Sequence, residues 1–87
     1  MLKIDRTANG EVILKISGRM DAENVADVKK AVESEDDGLR IVLDLQDLTL
    51  VDQDAVTFLA DCETKGIKII NGPAYIREWI ARERKGK

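Results

Sequence analysis

The chain has 87 residues, of which 44% are hydrophobic, 36% charged and only 3% aromatic, and its formal net charge is −3. That size and balance predict one globular domain over residues 1–87, with no apolar run near the ~20 residues of a bilayer span and no cationic field for general nucleic-acid binding. Histidine is absent and Cys62 is the single thiol, which excludes Ser-His-Asp triads, Cys-His pairs, His-ligated metals and an internal disulfide.

Leu2 to Arg6 alternates apolar and polar residues, the period of a half-buried strand. Asn9-Gly10 follows, a hairpin signal because both residues tolerate positive φ. Val12, Leu14 and Ile16 then share one face, with Ile13 on the other. The reading is an antiparallel hairpin whose second strand lies deeper and breaks at Gly18. Asp21 is placed to cap the next helix. Ala22, Val25, Val28 and Val32 recur at helical spacing as far as about Ser34, with Glu23, Asp27, Lys29 and Lys30 outside. The acidic run from Glu33 to Asp37, closed by Gly38, opposes the helix dipole and predicts a frayed last turn.

Leu39 to Leu45 contains Ile41-Val42-Leu43, the continuous apolar run of a strand covered on both faces. Gln46 to Val51 reads as an apolar-rich connector. Asp52 is the expected N-cap of a second helix whose buried stripe is Ala55, Phe58, Leu59 and Cys62, with Gly66 as its stop. Ile67 to Ile70 makes a fourth strand and Asn71-Gly72 a turn. Pro73 opens a third helix with Tyr75, Ile76, Trp79 and Ile80 on its apolar face, and the tail from Arg82 to Lys87 reads as a solvated end. The order β-β-α-β-α-β-α predicts an α/β fold: a small mixed sheet of four strands, antiparallel in the first hairpin and parallel beyond it, with three helices on one face. Ile13, Val42 and Ile70 fall on the other face. The predicted core includes Leu14, Ile16, Val28, Leu43, Phe58, Leu59 and Ile69.

Three stretches carry a family resemblance. They are Gly18-Arg19-Met20-Asp21-Ala22, then Val42-Leu43-Asp44-Leu45 with Leu50-Val51-Asp52-Gln53-Asp54-Ala55, then Asn71-Gly72-Pro73. In content and order they resemble the STAS domain, the family of anti-sigma factor antagonists and of the cytoplasmic tails of sulfate transporters. The resemblance covers nearly the whole chain. It implies a βα superhelical scaffold and a non-catalytic bacterial module for protein-protein interaction in signalling and transcription regulation. In anti-sigma factor antagonists a kinase-type anti-sigma factor phosphorylates the first serine after the Asp. Gln53 holds that place here, so the phosphoacceptor is missing, and Asp54 and Ala55 replace the Ser and Gly that follow. The implied partner-binding set is Asp21, Asp52, Gln53, Asp54 and Ala55, docking on a kinase-type anti-sigma factor or another regulator. A second reading is the small accessory subunit of an ABC-type lipid transport complex, docked on its ATPase subunit. Nucleotide binding, proposed in the family generally, ranks last because the glycines are scattered singly and form no phosphate loop.

Each acid in that set also has a structural reading. Asp21 and Asp52 cap helices, and Asp54 in a first turn is favourable to the helix dipole by about 0.3–1 kcal/mol. Convergence of Asp21, Asp44, Asp52 and Asp54 would suggest a Mg²⁺ site. The two caps, and a bond from Asp44 to the connector backbone, account for them instead, so no metal or cofactor is expected. Cys62 lies on the buried stripe and reads as an inert small hydrophobe. A lone thiol, with no charged start and apolar stretch of a secretory signal, points to a cytoplasmic setting.

Overall fold

The computed structural model describes residues 2–35 and 40–85. β1 (Leu2–Ala8) and β2 (Val12–Met20) form the antiparallel hairpin, in register from Leu2↔Gly18 to Ala8↔Val12. Gly10 takes φ +78° in the loop between them, a conformation that side chains disfavour. α1 (Ala22–Glu33) crosses over to β3 (Ile41–Asp44), parallel to β2. β4 (Leu48–Val51) also pairs in parallel with β2. α2 (Gln53–Thr64) then leads to β5 (Lys68–Ile70), parallel to β3, and α3 (Ala74–Lys85) follows.

The α/β order, the hairpin and the parallel strands agree with the sequence reading, and the sheet gains a fifth strand where a connector was expected. β3 pairs with Val12 to Lys15 of β2, and β4 pairs with Gly18 to Met20, the stretch that β3 does not reach. Gly18 therefore does not break β2. It sits at φ +94° in a register shift where Leu48 to Leu50 oppose Gly18 and Arg19, which is a bulge. Thr49 is the extra residue. Its hydroxyl donates to the Gly18 carbonyl at 2.7 Å, and its own carbonyl accepts the Tyr75 hydroxyl at 2.6 Å.

Pleat alternation turns Val12, Leu14, Ile16 and Leu43 toward the helices, where Val28, Val56, Leu59, Ile76 and Ile80 close the core. The register places Ile13, Val42 and Ile70 on the opposite face. Phe58 and Ile69, expected inside the core, are half-buried and pack against its margin. The buried stripe of α2 runs instead through Ala55, Val56, Leu59, Ala60 and Cys62, because α2 packs between α1 and α3 and is covered on two sides.

The helix ends are set by local chemistry. α2 closes with the Ile67 N–H donating to the Cys62 carbonyl at 2.9 Å and the Gly66 N–H to the Glu63 carbonyl at 3.0 Å, while Gly66 takes φ +91°. Just past α1, Glu35 accepts two bonds from the Arg6 guanidinium at 2.8 and 2.9 Å, which ties the acidic helix end to β1. The expected stop at Gly38, the acids Asp36 and Asp37, the expected strand start at Leu39 and the tail residues Gly86 and Lys87 lie outside the described residues.

Candidate interaction site at two helix starts

β2 and β4 run parallel and finish side by side, with Met20 paired to Val51. The chain leaves each strand at the same edge of the sheet and enters a helix, so Asp21 and Asp52 occupy matching positions. Both have extended backbones, with φ −128° and −110°. Oδ1 of Asp21 accepts the N–H groups of Glu23 and Asn24 at 3.1 and 3.2 Å. Oδ1 of Asp52 accepts the Ala55 N–H at 2.9 Å, and its Oδ2 accepts the Ala22 N–H, also at 2.9 Å. One carboxylate therefore holds the first turns of both α1 and α2. The Asn24 amide adds a bond to the Arg19 carbonyl at 2.9 Å, which fixes the end of β2 against α1.

The five residues of the expected set meet at this corner in three different roles. Asp21 and Asp52 are half-buried helix caps. Ala55 is fully buried, so its methyl group belongs to the core and only its N–H belongs to the corner. Gln53 and Asp54 are exposed. Gln53 Nε2 donates to Thr57 Oγ1 at 3.3 Å, and the Thr57 hydroxyl in turn donates to Glu83 on α3 at 3.4 Å. The Gln53 side-chain oxygen has no bond among the described residues. Asp54 has no hydrogen bond or ion pair among them either.

Asp44 stands apart from this group. Its Oδ1 accepts the Gln46 N–H at 3.0 Å and the Asn71 amide at 3.2 Å, which steadies Asn71 at φ +58°. Among the described residues, no three potential metal-ligating side chains come together. Cys62 is buried beneath α1, and that burial pushes its thiol up to about 11, away from the thiolate needed for nucleophilic chemistry.

Two residues near the corner stand outside the expected partner-binding set. Leu50 is 56% exposed and Tyr75 is 46% exposed, the large hydrophobic side chains left outside the core. Leu50 precedes Asp52 by two positions on β4. Tyr75 had been placed on the apolar face of the third helix, yet its ring lies outside the core and its hydroxyl reaches Thr49. The sequence carried no signal for Leu50, because strict alternation would place it on the face of buried Leu48, and the bulge at Thr49 turns it out.

A mixed sheet with its helices packed on one side, and two capped helix starts at one corner, make up a small α/β domain. The STAS domain family profile matches residues 3–70, and the chain belongs to the STAS domain family. A solved structure of an uncharacterized protein from Shewanella loihica PV-4, described as a DUF3478-family member with a SpoIIAA-like fold, has the same fold. The TM-score is 0.58 at 20% sequence identity, covering 93% of this chain and 74% of that one. No curated protein matches the chain. STAS domains generally mediate protein-protein interaction. No helix among the described residues is long and apolar enough to cross a membrane.

Proposed function

We propose that this chain is a non-catalytic, cytoplasmic interaction module of the anti-sigma factor antagonist kind. It docks through the corner of Asp21, Asp52, Gln53, Asp54 and Ala55, and it lacks the serine switch because Gln53 stands in that place. The observation that carries this reading is the double bond acceptance by Asp52, from Ala22 of α1 and Ala55 of α2. It fixes two helix starts relative to each other and presents Gln53 and Asp54 on a rigid base, which lowers the ordering cost of binding. Leu50 and Tyr75 supply apolar contact area beside this polar group. Such anchors, ringed by polar contacts, carry most of the energy of an interface.

A neutral amide at position 53 meets a partner without the charge of about −1.5 to −2 that a phosphoserine brings. Docking is then constitutive, and control rests with expression or with the partner. The flanking threonines are poor substitutes for the missing serine, since the Thr49 hydroxyl is engaged by Gly18 and Thr57 lies one turn into α2.

The test is capture of a kinase-type anti-sigma factor by the wild-type chain, Gln53→Arg and Leu50→Ser. Both variants keep the far-UV spectrum, and each weakens capture about tenfold or more, which is about 1.4 kcal/mol. Unchanged capture places the interface elsewhere. Incubation with the same factor and ATP leaves the turn from Asp52 to Ala55 unmodified, and stoichiometric phosphate on Thr49 or Thr57 would restore a switch. Co-purification with an ABC ATPase subunit would move the protein to transport.

A further inference from the structure

The sheet edge at β5 carries a second, independent surface. β5 is the terminal strand of the path β1-β2-β3-β5. The Ile70 carbonyl turns inward to the Leu45 N–H at 3.0 Å. Backbone groups alternate along a strand, so Ile69 turns its own N–H and C=O to the outer edge, where no described residue pairs them. The Ile69 side chain, in register with Leu43, points to the helix face. There it floors a groove of about 420 Å³ between β5 and α3.

The α3 wall of this groove has a definite pattern. Arg77, Ile80, Ala81 and Arg84 line it, at the spacing of one helical stripe. Arg77 sits beside Gly72 at the end of β5 and forms no ion pair among the described residues. At the opposite end Arg84 donates to Glu63 of α2, which also lines the groove, at 3.4 Å, so an incoming acid must displace Glu63 there. Two helical turns separate Arg77 from Arg84, a rise of about 10 Å. In an extended strand, side chains four residues apart lie on one face about 13 Å from each other.

We infer that the open edge of β5 takes an extended segment of a partner protein with the pattern acid-x-apolar-x-acid. The segment pairs with the N–H and C=O of Ile69, places its apolar side chain over Ile69, Ile80 and Ala81, and sets its two acids against Arg77 and Arg84. Strand addition of this kind draws affinity from main-chain bonds and specificity from alternate side chains. Charge disfavours a second copy of this chain as the occupant, because edge-to-edge pairing would face Arg77 with its own duplicate. The strand at the other end of that path lacks these features: β1 carries Lys3, Asp5 and Arg6 in mixed sign, with Lys3 close to Asp5 at 3.9 Å, the charge arrangement that protects an edge from pairing.

The experiment is a nuclear magnetic resonance titration of the ¹⁵N-labelled full chain with the end-blocked peptide Thr-Glu-Thr-Leu-Thr-Glu-Thr. A matched peptide with lysine in place of both glutamates serves as control. The acidic peptide shifts the amides of Lys68 to Asn71 and of Ala81, slows exchange of the Ile69 amide, and binds at least about tenfold tighter than the lysine peptide. Arg77→Glu reverses that preference, and Ala81→Trp, at an exposed position on the groove wall, abolishes binding while the fold is kept. Equal binding of both peptides, shifts confined to Gln53–Ala55, or no saturation by the acidic peptide overturns the inference. So do shifts at β5 that follow protein concentration without peptide, which would mean self-pairing. The peptide experiment reads β5 and α3, so its failure leaves the corner reading intact.

Discussion

At the starts of α1 and α2, Asp21 and Asp52 accept the N–H groups of Ala22, Glu23, Asn24 and Ala55 from within the chain. At β5, Ile69 faces outward with its backbone groups unpaired among the described residues, and Arg77 forms no ion pair. The first region has its helix-start N–H groups satisfied from within and presents a few exposed side chains on a rigid base. The second offers backbone bonds and positive charge. Removing a polar residue should therefore destabilise the fold at the corner and leave it unchanged at the edge, while recognition at the edge should depend more on charge.

The largest effect calibrates both regions, because α2 supports each of them. Leu59→Ala removes a fully buried side chain and should cost about 2–5 kcal/mol in a denaturant titration. Phe58→Ala, at a half-buried position, should cost less, about 2 kcal/mol. Equal costs would mean that α2 is rotated from the orientation described and that Gln53 does not face solvent at the corner.

Asp52→Ala comes next and separates the regions directly. It deletes a cap of α2 and the bond to the start of α1 together, and should cost about 2 kcal/mol. Asp52→Asn keeps one acceptor oxygen and should lose less. Arg77→Ala on the other side should stay within about 0.5 kcal/mol of wild type. A cost at Arg77 as large as that at Asp52 would show that the edge, too, is closed by contacts inside the chain.

Most of the fold was legible because its signals are local. The alternation in Leu2 to Arg6, the stripe of Val25, Val28 and Val32, the caps at Asp21 and Asp52 and the stop at Gly66 each follow from a few neighbouring residues. β4 was not legible as a strand, because the bulge at Thr49 breaks its alternation, leaving Leu48 buried and Leu50 exposed, and Gly18 reads as a breaker until its partner strand is known. The corner was legible in its residues but not in its wiring. Nothing in the sequence says that the second oxygen of Asp52 reaches Ala22, thirty positions away, since that contact exists only because β2 and β4 end side by side. Helical spacing assigned Phe58 to the core and Tyr75 to the apolar face of the third helix, whereas Phe58 packs at the core margin and Tyr75 is exposed.

The smallest effect concerns the other end of α1, which Glu35 and Arg6 hold against β1 while Asp52 holds its start. Hydrogen bonds from Arg6 hold the Glu35 carboxyl below its ordinary value; desolvation works against that shift and the Arg6 charge adds to it. The Arg6 guanidinium is raised further by the same pair and stays protonated throughout the acid range, so Glu35 alone titrates there. A depressed carboxyl releases its proton more readily in the folded chain than in the unfolded one. Its contribution to stability is therefore complete above the ordinary carboxyl value and is lost as pH falls through the lowered folded value. The side chain of Arg6 is 51% exposed, so the contribution is small and shrinks with added salt. Thermal midpoints of the wild-type chain and Glu35→Gln should differ near neutral pH, draw together as the solution is acidified below the carboxylate range, and differ less at high salt. A gap that persists in acid would mean that Glu35 acts through packing rather than charge, and that α1 is clamped electrostatically only at the corner where Asp52 meets Ala22.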